Sequence, residues 1–270
     1  MDADAGLHAP VGRPVSINGY EWWVSRWSRL FVPSLLTAAD LATGHRVLDV
    51  ASGTGEAAIA AISLVGEPGV VVGTDISTMM LEAARARLPA SYRVVVTDGQ
   101  ALAFRNGSFD TVICQLGLMF FPDPARGLVE FRRVLRRGGR ASVCVISTPE
   151  KAPMWGVPAE TLSRHLPAQR EALHLSFSLA HGPRLEEMFG AAGFREISVS
   201  CETRHGMIRS FDEYWAGIEA GTGQMPSIYS GLPEPERRDV REEVRAGLSQ
   251  FEKNGRLEMS VEMLIGTGRA

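Results

Sequence analysis

Val47-Leu-Asp-Val-Ala-Ser-Gly-Thr-Gly-Glu-Ala-Ala58, with Asp75 following twenty residues after Gly55, decides how the rest of this chain is read. The first residues form a short, β-branched apolar run that suits a buried strand. Gly53 and Gly55 make a tight turn, and the alanine-rich stretch beyond them suits a helix stopped by Gly66. Asp75 then ends the next apolar run. A strand, a glycine turn, a helix N-terminus and a strand-end carboxylate are the geometry of an α/β site for a nucleoside-containing cofactor.

Outward from this motif the pattern alternates between strand and helix over residues 46–147. Pro68-Gly69 turns the chain into a strand over 70–74. Ser77 caps a helix over 77–88 that has Pro89 just past its end. Three more β-rich runs fall at 92–97, 111–116 and 140–146. Between the last two, a helix over 125–137 carries Leu128, Phe131, Val134 and Leu135 on one stripe. Arg132, Arg133, Arg136 and Arg137 read as its solvated, dipole-favoured end. Five strands with crossovers predict a mostly parallel sheet covered on both faces.

The later part reads differently. Residues 196–204 and 257–265 alternate with period two, which predicts half-exposed antiparallel strands at a sheet edge. Residues 236–251 place Val240, Val244, Leu248 and Phe251 on one helix face, so that helix should dock. The expected layout is one domain: an N-terminal helical lid at 1–45 and a cofactor-binding core at 46–148. Cap segments follow at 149–195 and 205–256, and edge strands at 196–204 and 257–267. No repeat or low-complexity tract interrupts it.

Composition narrows the partners. At 270 residues, 45% hydrophobic and 22% charged, the chain suits one ordinary globular core. A net charge of −3 argues against nucleic acid and anionic membrane, which ask for a basic face. Cys114, Cys144 and Cys201 have no metal-ligand or redox spacing and read as buried free thiols in a reducing compartment; no metal site is expected. Met1-Asp-Ala-Asp-Ala lacks the features of a signal peptide, and no apolar stretch reaches the ~20 residues that span a bilayer. A soluble, cytoplasmic protein is expected, its oligomeric state left open, a homodimer included.

Gly53-Thr-Gly55-Glu-Ala-Ala58 also satisfies a dinucleotide fingerprint, so the cofactor must be decided from its surroundings. Asp49, Asp75 and Asp98 stand at or near the ends of three successive strands. A carboxylate at Asp49, just ahead of the loop, would repel a pyrophosphate. S-adenosylmethionine carries no phosphate, and its sulfonium, ammonium, ribose hydroxyls and adenine amine all suit carboxylates. Its own carboxylate can rest on backbone N–H groups at the helix N-terminus. No Tyr-x-x-x-Lys pair, the proton donor of one large dehydrogenase group, follows any tyrosine. The methyl donor fits better.

With Gly73-Thr-Asp-Ile-Ser-Thr-Met-Met-Leu81, Thr97-Asp-Gly-Gln-Ala-Leu-Ala-Phe104, Ser108-Phe-Asp-Thr-Val112 and Phe131-Arg-Arg-Val-Leu-Arg-Arg-Gly-Gly-Arg140 in order behind the glycine loop, the middle hundred or so residues resemble class I S-adenosylmethionine-dependent methyltransferases. The small-molecule type that includes the ubiquinone and menaquinone biosynthesis C-methyltransferases is the nearest likeness. The resemblance implies a Rossmann-like fold: a seven-stranded, mostly parallel sheet with an antiparallel C-terminal edge hairpin and a helical cap. It implies that Ala51, Ser52, Gly53 and Gly55 surround the methionine moiety and that Asp49 reaches its ammonium. Asp75 would bind the ribose, with Ile76 and Met80 packing on the nucleoside. Asp98 would accept from the adenine amine, framed by Gly99 and Gln100, and Gln115 would face the transferring methyl. Ala51 in place of the usual first glycine, Gly99 in place of a common alanine, and Arg137 before Gly138 are departures that remove no polar contact.

Methyl transfer from a sulfonium is an in-line displacement whose thioether leaving group needs no proton, so alignment and exclusion of water can suffice. No Cys/His or Ser/His/Asp constellation has motif support. The acceptor would lie over Gln115, with Tyr20, Trp23, Trp27, Met119, Phe120 and His174 as candidate walls. An amphipathic helix burying Trp23 and Trp27 is the plainer reading of that aromatic stretch. His165, His174 and His181 fall in the cap; Tyr20, His174 and His181 are candidates for a base. The expected reaction methylates a C, N or O atom of a small molecule and releases S-adenosylhomocysteine. The alternative is a cyclase or isomerase on the same fold that uses the sulfonium's charge without giving up its methyl.

Overall fold

The computed structural model describes residues 24–89, 92–220 and 223–270. β1 (Arg46–Val50) is buried from Val47 onward and lies parallel between β2 (Val70–Asp75) and β4 (Phe109–Gln115). β3 (Arg93–Val96) continues the parallel sheet beyond β2, and β5 (Leu135–Ile146) continues it beyond β4. β8 (Arg256–Arg269) and β6 (Arg195–Ile208) are antiparallel, the first to β5 and both to each other, so the order is β3-β2-β1-β4-β5-β8-β6. The two-residue β7 (Glu252–Lys253) pairs with the start of β8. The chain winds outward in opposite directions from β1 and β4, which opens a crevice at their carboxyl ends.

Helices α1 (Val32–Ala38), α2 (Glu56–Val65), α3 (Thr78–Arg87) and α4 (Pro124–Val134) belong to this core. As expected, Ser77 caps α3, its Oγ accepting from Met80 N at 3.4 Å. Asp123 and Pro124 start α4 with a side-chain cap and a pre-set φ.

α4 ends three residues before the predicted limit. Leu135 already pairs with Phe109 in the sheet, and Arg136 bonds the Asp110 carboxylate beside it. Nor is Arg133 a solvated helix end. Its guanidinium donates to the Leu102 and Phe104 carbonyls at 2.8 and 2.7 Å and pairs with Glu130, so it fastens the loop after β3.

The two antiparallel strands also differ in a physical way from the half-exposed pair expected. β8 lies inside the sheet, and its second half is buried on both faces. Leu185 and Phe189 of α6 (Gly182–Ala191) pack on Gly266, while Thr267 Oγ1 donates to the α1 carbonyl of Ala38 at 3.1 Å. β6 is the true edge and changes covered face along its length. Ile197 and Val199 meet α6, whereas Gly206 on the opposite face meets Trp27. Cys201 falls between the two covers and is exposed, unlike buried Cys114 and Cys144.

Beyond the carboxyl edge lie α5 (Pro153–His165), α7 (Phe211–Ala220), α8 (Gln224–Ser230) and α9 (Glu234–Leu248). Val240, Val244 and Leu248 of α9 are buried, which is the docking their spacing predicts. Tyr214 Oη donates to the Met154 carbonyl at 2.6 Å, joining α7 to α5. No helix of the described residues is long and apolar enough to cross a membrane.

Candidate functional site

At the crevice the backbone is bent in ways side chains resist. Ala51, just past β1, has φ 54°, and Leu116, just past β4, has φ 55°. Left-handed geometry at such residues costs on the order of 1–2 kcal/mol each. Gly55 takes φ 86° to start α2, and a Cβ there would stand 2.4 Å from the Leu88 side chain, so glycine avoids both the backbone strain and a displacement of Leu88. Asp75 holds the loop: its Oδ2 accepts from Gly53 N and its Oδ1 from Ser77 N, each at 2.9 Å. The bend leaves a cavity of about 310 Å³, open solvent included, lined chiefly by Ser28, Asp49, Ala51, Ser52, Thr54 and Gln115.

The polar atoms around that cavity are buried and lack partners among the described residues: both Asp49 oxygens, Ser52 Oγ, Thr54 Oγ1 and Gln115 Oε1. Burial, and then the nearby Asp75 charge, push the Asp49 carboxyl up to about 8; the Ala58 amide pulls it down from outside hydrogen-bond geometry. Burial also raises Asp75, against the amides it accepts from. Cys114 is pushed up to about 12 by burial and the Asp49 charge, which makes it inert as a nucleophile. α2 begins with no side-chain cap, so amides of its first turn remain to be satisfied. Orphaned acceptors beside free helix N–H groups fit a ligand with both a cation and a carboxylate. A pyrophosphate fits less well, because it carries only acceptors and has no donor for the Asp49 and Gln115 oxygens.

Further along the carboxyl edge the surface becomes apolar. Ile76 is 64% exposed and Val96 53%, while Met80 is half-buried on α3. Asp98 Oδ1 accepts from Gln100 N at 2.8 Å, and Gln100 Oε1 accepts from Asp123 N at 2.7 Å. Phe121 occupies the space a Cβ on Gly99 would need, which explains the departure from alanine.

The candidate acceptor residues do not gather at one place. Tyr20 and Trp23 lie outside the described residues. Trp27 is buried against Gly206 rather than facing the cavity, and Met119 is buried in the core. Phe120 is half-exposed. His165 ties α5 to α9 through Glu243 at 2.8 Å. The His174 ring stands 3.4 Å from Glu160 and titrates below the usual histidine value because it is desolvated. His174 and His181 both help to hold the Glu150 carboxyl low, behind the Thr148 hydroxyl that does most, so these two imidazoles share one neighbourhood beyond β5. Among the described residues no cluster of His, Cys, Asp or Glu could hold a metal ion.

Sequence reasoning missed Ser28, Thr54, Glu56 and Tyr92. The Ser28 carbonyl accepts from Gln115 Nε2 at 3.1 Å, and Glu56 binds Arg29 and Arg87, so the N-terminal segment is fastened at the mouth of the cavity. Those contacts link residues far apart in sequence and leave no local signal. Tyr92 did leave one: Gly73, a lone glycine within a strand, marks a close approach.

Comparison with known proteins adds the following. A family profile described as "Methyltransferase domain" matches residues 48–143. A demethylmenaquinone methyltransferase of Corynebacterium kroppenstedtii is 38% identical over 165 residues, covering 57% of this chain and 69% of that protein. A ubiquinone/menaquinone biosynthesis C-methyltransferase of Coxiella burnetii is 33% identical over 139 residues, covering 50% of this chain and 54% of that protein. The chain thus spans only about half to two thirds of these relatives' length. Among solved structures, the YcgJ protein of Bacillus subtilis superposes with a TM-score of 0.58 at 21% identity, over 90% of this chain and 98% of that one. Haemonchus contortus phosphoethanolamine N-methyltransferase 2, solved with S-adenosyl-L-methionine, gives 0.57 at 19% identity, over 93% of this chain and 56% of that one. At such identities the two structures speak to the fold alone.

Proposed function

The chain belongs to the class I S-adenosylmethionine-dependent methyltransferases, and from that premise we propose that it methylates a carbon, nitrogen or oxygen atom of a small, largely apolar acceptor. The observation that carries this reading is the set of buried, unpartnered acceptor atoms around the cavity, set beside the uncapped start of α2. When bound, S-adenosylmethionine supplies a methyl group on a sulfonium whose thioether leaves without needing a proton.

The chain's own residues bind, orient and exclude water. Asp49 and Gln115 Oε1 offer acceptors to an ammonium, and the first-turn amides of α2 offer donors to a carboxylate. Asp75, with lone pairs left after its two backbone bonds, takes ribose hydroxyls. Ile76 and Met80 wall the nucleoside, and Asp98 with Gly99 and Gln100 frames the base. The N-terminal segment, held by Gln115 and Glu56, shields the methionine end from solvent, which favours charge transfer between reacting groups. The acceptor enters past Leu116 and Phe120. His174, desolvated beside Glu160, is the described side chain best suited to take a proton from an acidic acceptor. The net charge of −3 and the absence of a membrane-crossing helix among the described residues support a cytoplasmic enzyme acting on neither nucleic acid nor membrane.

The test is to incubate the protein with S-adenosylmethionine and a panel of phenolic, quinol and amine acceptors, following both products by mass spectrometry. S-adenosylhomocysteine should appear in step with a methylated acceptor. An acceptor consumed without S-adenosylhomocysteine would overturn the proposal in favour of a cyclase or isomerase.

A further inference from the structure

Tyr92 is buried, and its phenol oxygen meets no partner in full hydrogen-bond geometry among the described residues, the Ser52 hydroxyl being near enough to act on it weakly. It precedes β3, yet its ring runs up beneath the glycine loop. A Cβ placed on Gly73 would fall 1.7 Å from that oxygen, so the phenol occupies the side-chain position that Gly73 leaves empty. Gly73 is the register partner of Asp49 on the neighbouring strand. Side chains of such partners project from the same face about 4.8 Å apart. The phenol oxygen therefore lies in the same row as the Asp49 carboxyl, with no hydrogen bond between the two. Ser52 Oγ lies 2.8 Å from that same Cβ position on Gly73.

Asp49 and Tyr92 thus share one row without a bond between them, one an acceptor and one able to donate. We propose that Tyr92 is a positioning residue whose ring shifts to donate its O–H to Asp49 when the cofactor's cationic groups enter the cavity. The inference rests on the cofactor reading above. Without a cation, Asp49 is held neutral by burial, with Asp75 on β2 as the facing negative charge. Cys114 on β4 feels the same carboxyl and stays a thiol. Burial and the Asp49 charge likewise keep the Tyr92 phenol protonated, well above its usual range. Glu56 on α2 also lines the cavity but is neutralised by Arg29 and Arg87. A cation reverses the balance at Asp49: its carboxyl O–H breaks, the proton leaves to the buffer, and the new anion needs a donor. The Tyr92 and Ser52 hydroxyls are the neighbouring groups that can provide one.

The experiment is calorimetric titration with S-adenosylmethionine from about pH 6 to 8.5, in buffers of different ionisation enthalpy, on the wild type, Tyr92→Phe and Asp49→Asn. The wild type should release close to one proton per site near pH 7 and bind more tightly as pH rises toward 8. Asp49→Asn should release none. Tyr92→Phe should bind roughly tenfold more weakly near pH 7, the scale of one lost bond to a charged group, with the deficit shrinking at high pH. The ligand amine's own titration is common to all three proteins and cancels in the comparison. A purely packing role for Tyr92 predicts curves displaced equally at every pH, and that outcome, or an unchanged affinity, overturns the proposal. A wild type that does not bind at all overturns the cofactor reading itself. Should Tyr92→Phe fail to fold, infrared difference spectra of the wild type with ring-labelled tyrosine give the same answer. Adding S-adenosylmethionine should shift a phenol C–O band, and no shift overturns the inference.

Discussion

The crevice at β1 and β4 and the aromatic cap beyond the sheet are both densely packed, but most of their polar groups are treated in opposite ways. Around the crevice, Asp49, Ser52, Thr54 and Gln115 are buried with unmet hydrogen bonds, and Ala51 and Leu116 are held left-handed. In the cap, Arg241 and Arg245 pair with Asp212, Arg164 with Glu243 and Arg170 with Glu160. Its rings pack on one another too, Trp215 stacking on Phe211 at 5.8 Å and meeting Tyr229 edge-on at 5.1 Å, although Trp215 Nε1 and His174 Nε2 are buried without a hydrogen-bond partner among the described residues. A region that leaves its polar atoms unmet carries a cost that a ligand can offset. The cap stabilises itself, and the crevice is arranged for something else.

The largest expected effect lies in the cap. Trp215→Ala should lower unfolding free energy by about 3–5 kcal/mol, the scale for truncating a buried tryptophan. Urea unfolding would show it, and a loss below about 1 kcal/mol would mean that the cap core is not as tight as it looks.

The crevice should answer in the opposite sense. Asp49→Asn is expected to weaken S-adenosylmethionine binding by about 1.5–3 kcal/mol, yet to leave the empty protein at least as stable. The reason is protonation. Asp49 sits at about 8 in the fold against an ordinary 3.8, so between those values the folded chain holds a proton that the unfolded chain has lost. Its contribution to stability is therefore lost as pH rises from about 4 to about 8. Thermal melts across that range should fall more steeply for the wild type than for Asp49→Asn. Parallel profiles would erase the contrast between the two regions.

Smaller changes sharpen it. Glu56→Gln breaks the ion pairs of Glu56 with Arg29 of the N-terminal segment and Arg87 of α3 and should cost about 1 kcal/mol, less at high salt. Asp212→Ala removes only exposed pairs on the cap and should change stability by less than about 0.5 kcal/mol in urea titration.

The same contrast explains what could be read beforehand. The parallel strands, the Ser77 cap and the glycine loop follow from local patterns, and so do the places of Asp49, Asp75 and Asp98 at or near the ends of three strands. The misjudged pieces all depended on contacts distant in sequence. Leu135 left the helix to pair with Phe109, β8 was buried by α6 and α1, and Cys201 lay exposed between two covers. Met119 went to the core for the same reason, since an apolar side chain does not announce whether it will face a substrate or its neighbours, whereas Trp27 took the buried place that the plainer reading of its helix gave it. The two hydrogen bonds that Asp75 accepts from Gly53 and Ser77 were equally invisible, although its position at the strand end was not.

The central claim is that the crevice carrying Asp75 and Asp98 holds S-adenosylmethionine. Calorimetric titration of the wild type beside Asp75→Ala and Asp98→Ala tests it most directly. Saturable binding by the wild type, weakened by about 1–3 kcal/mol in each variant, is the predicted result. Equal affinity in all three proteins would place the cofactor elsewhere and contradict the account.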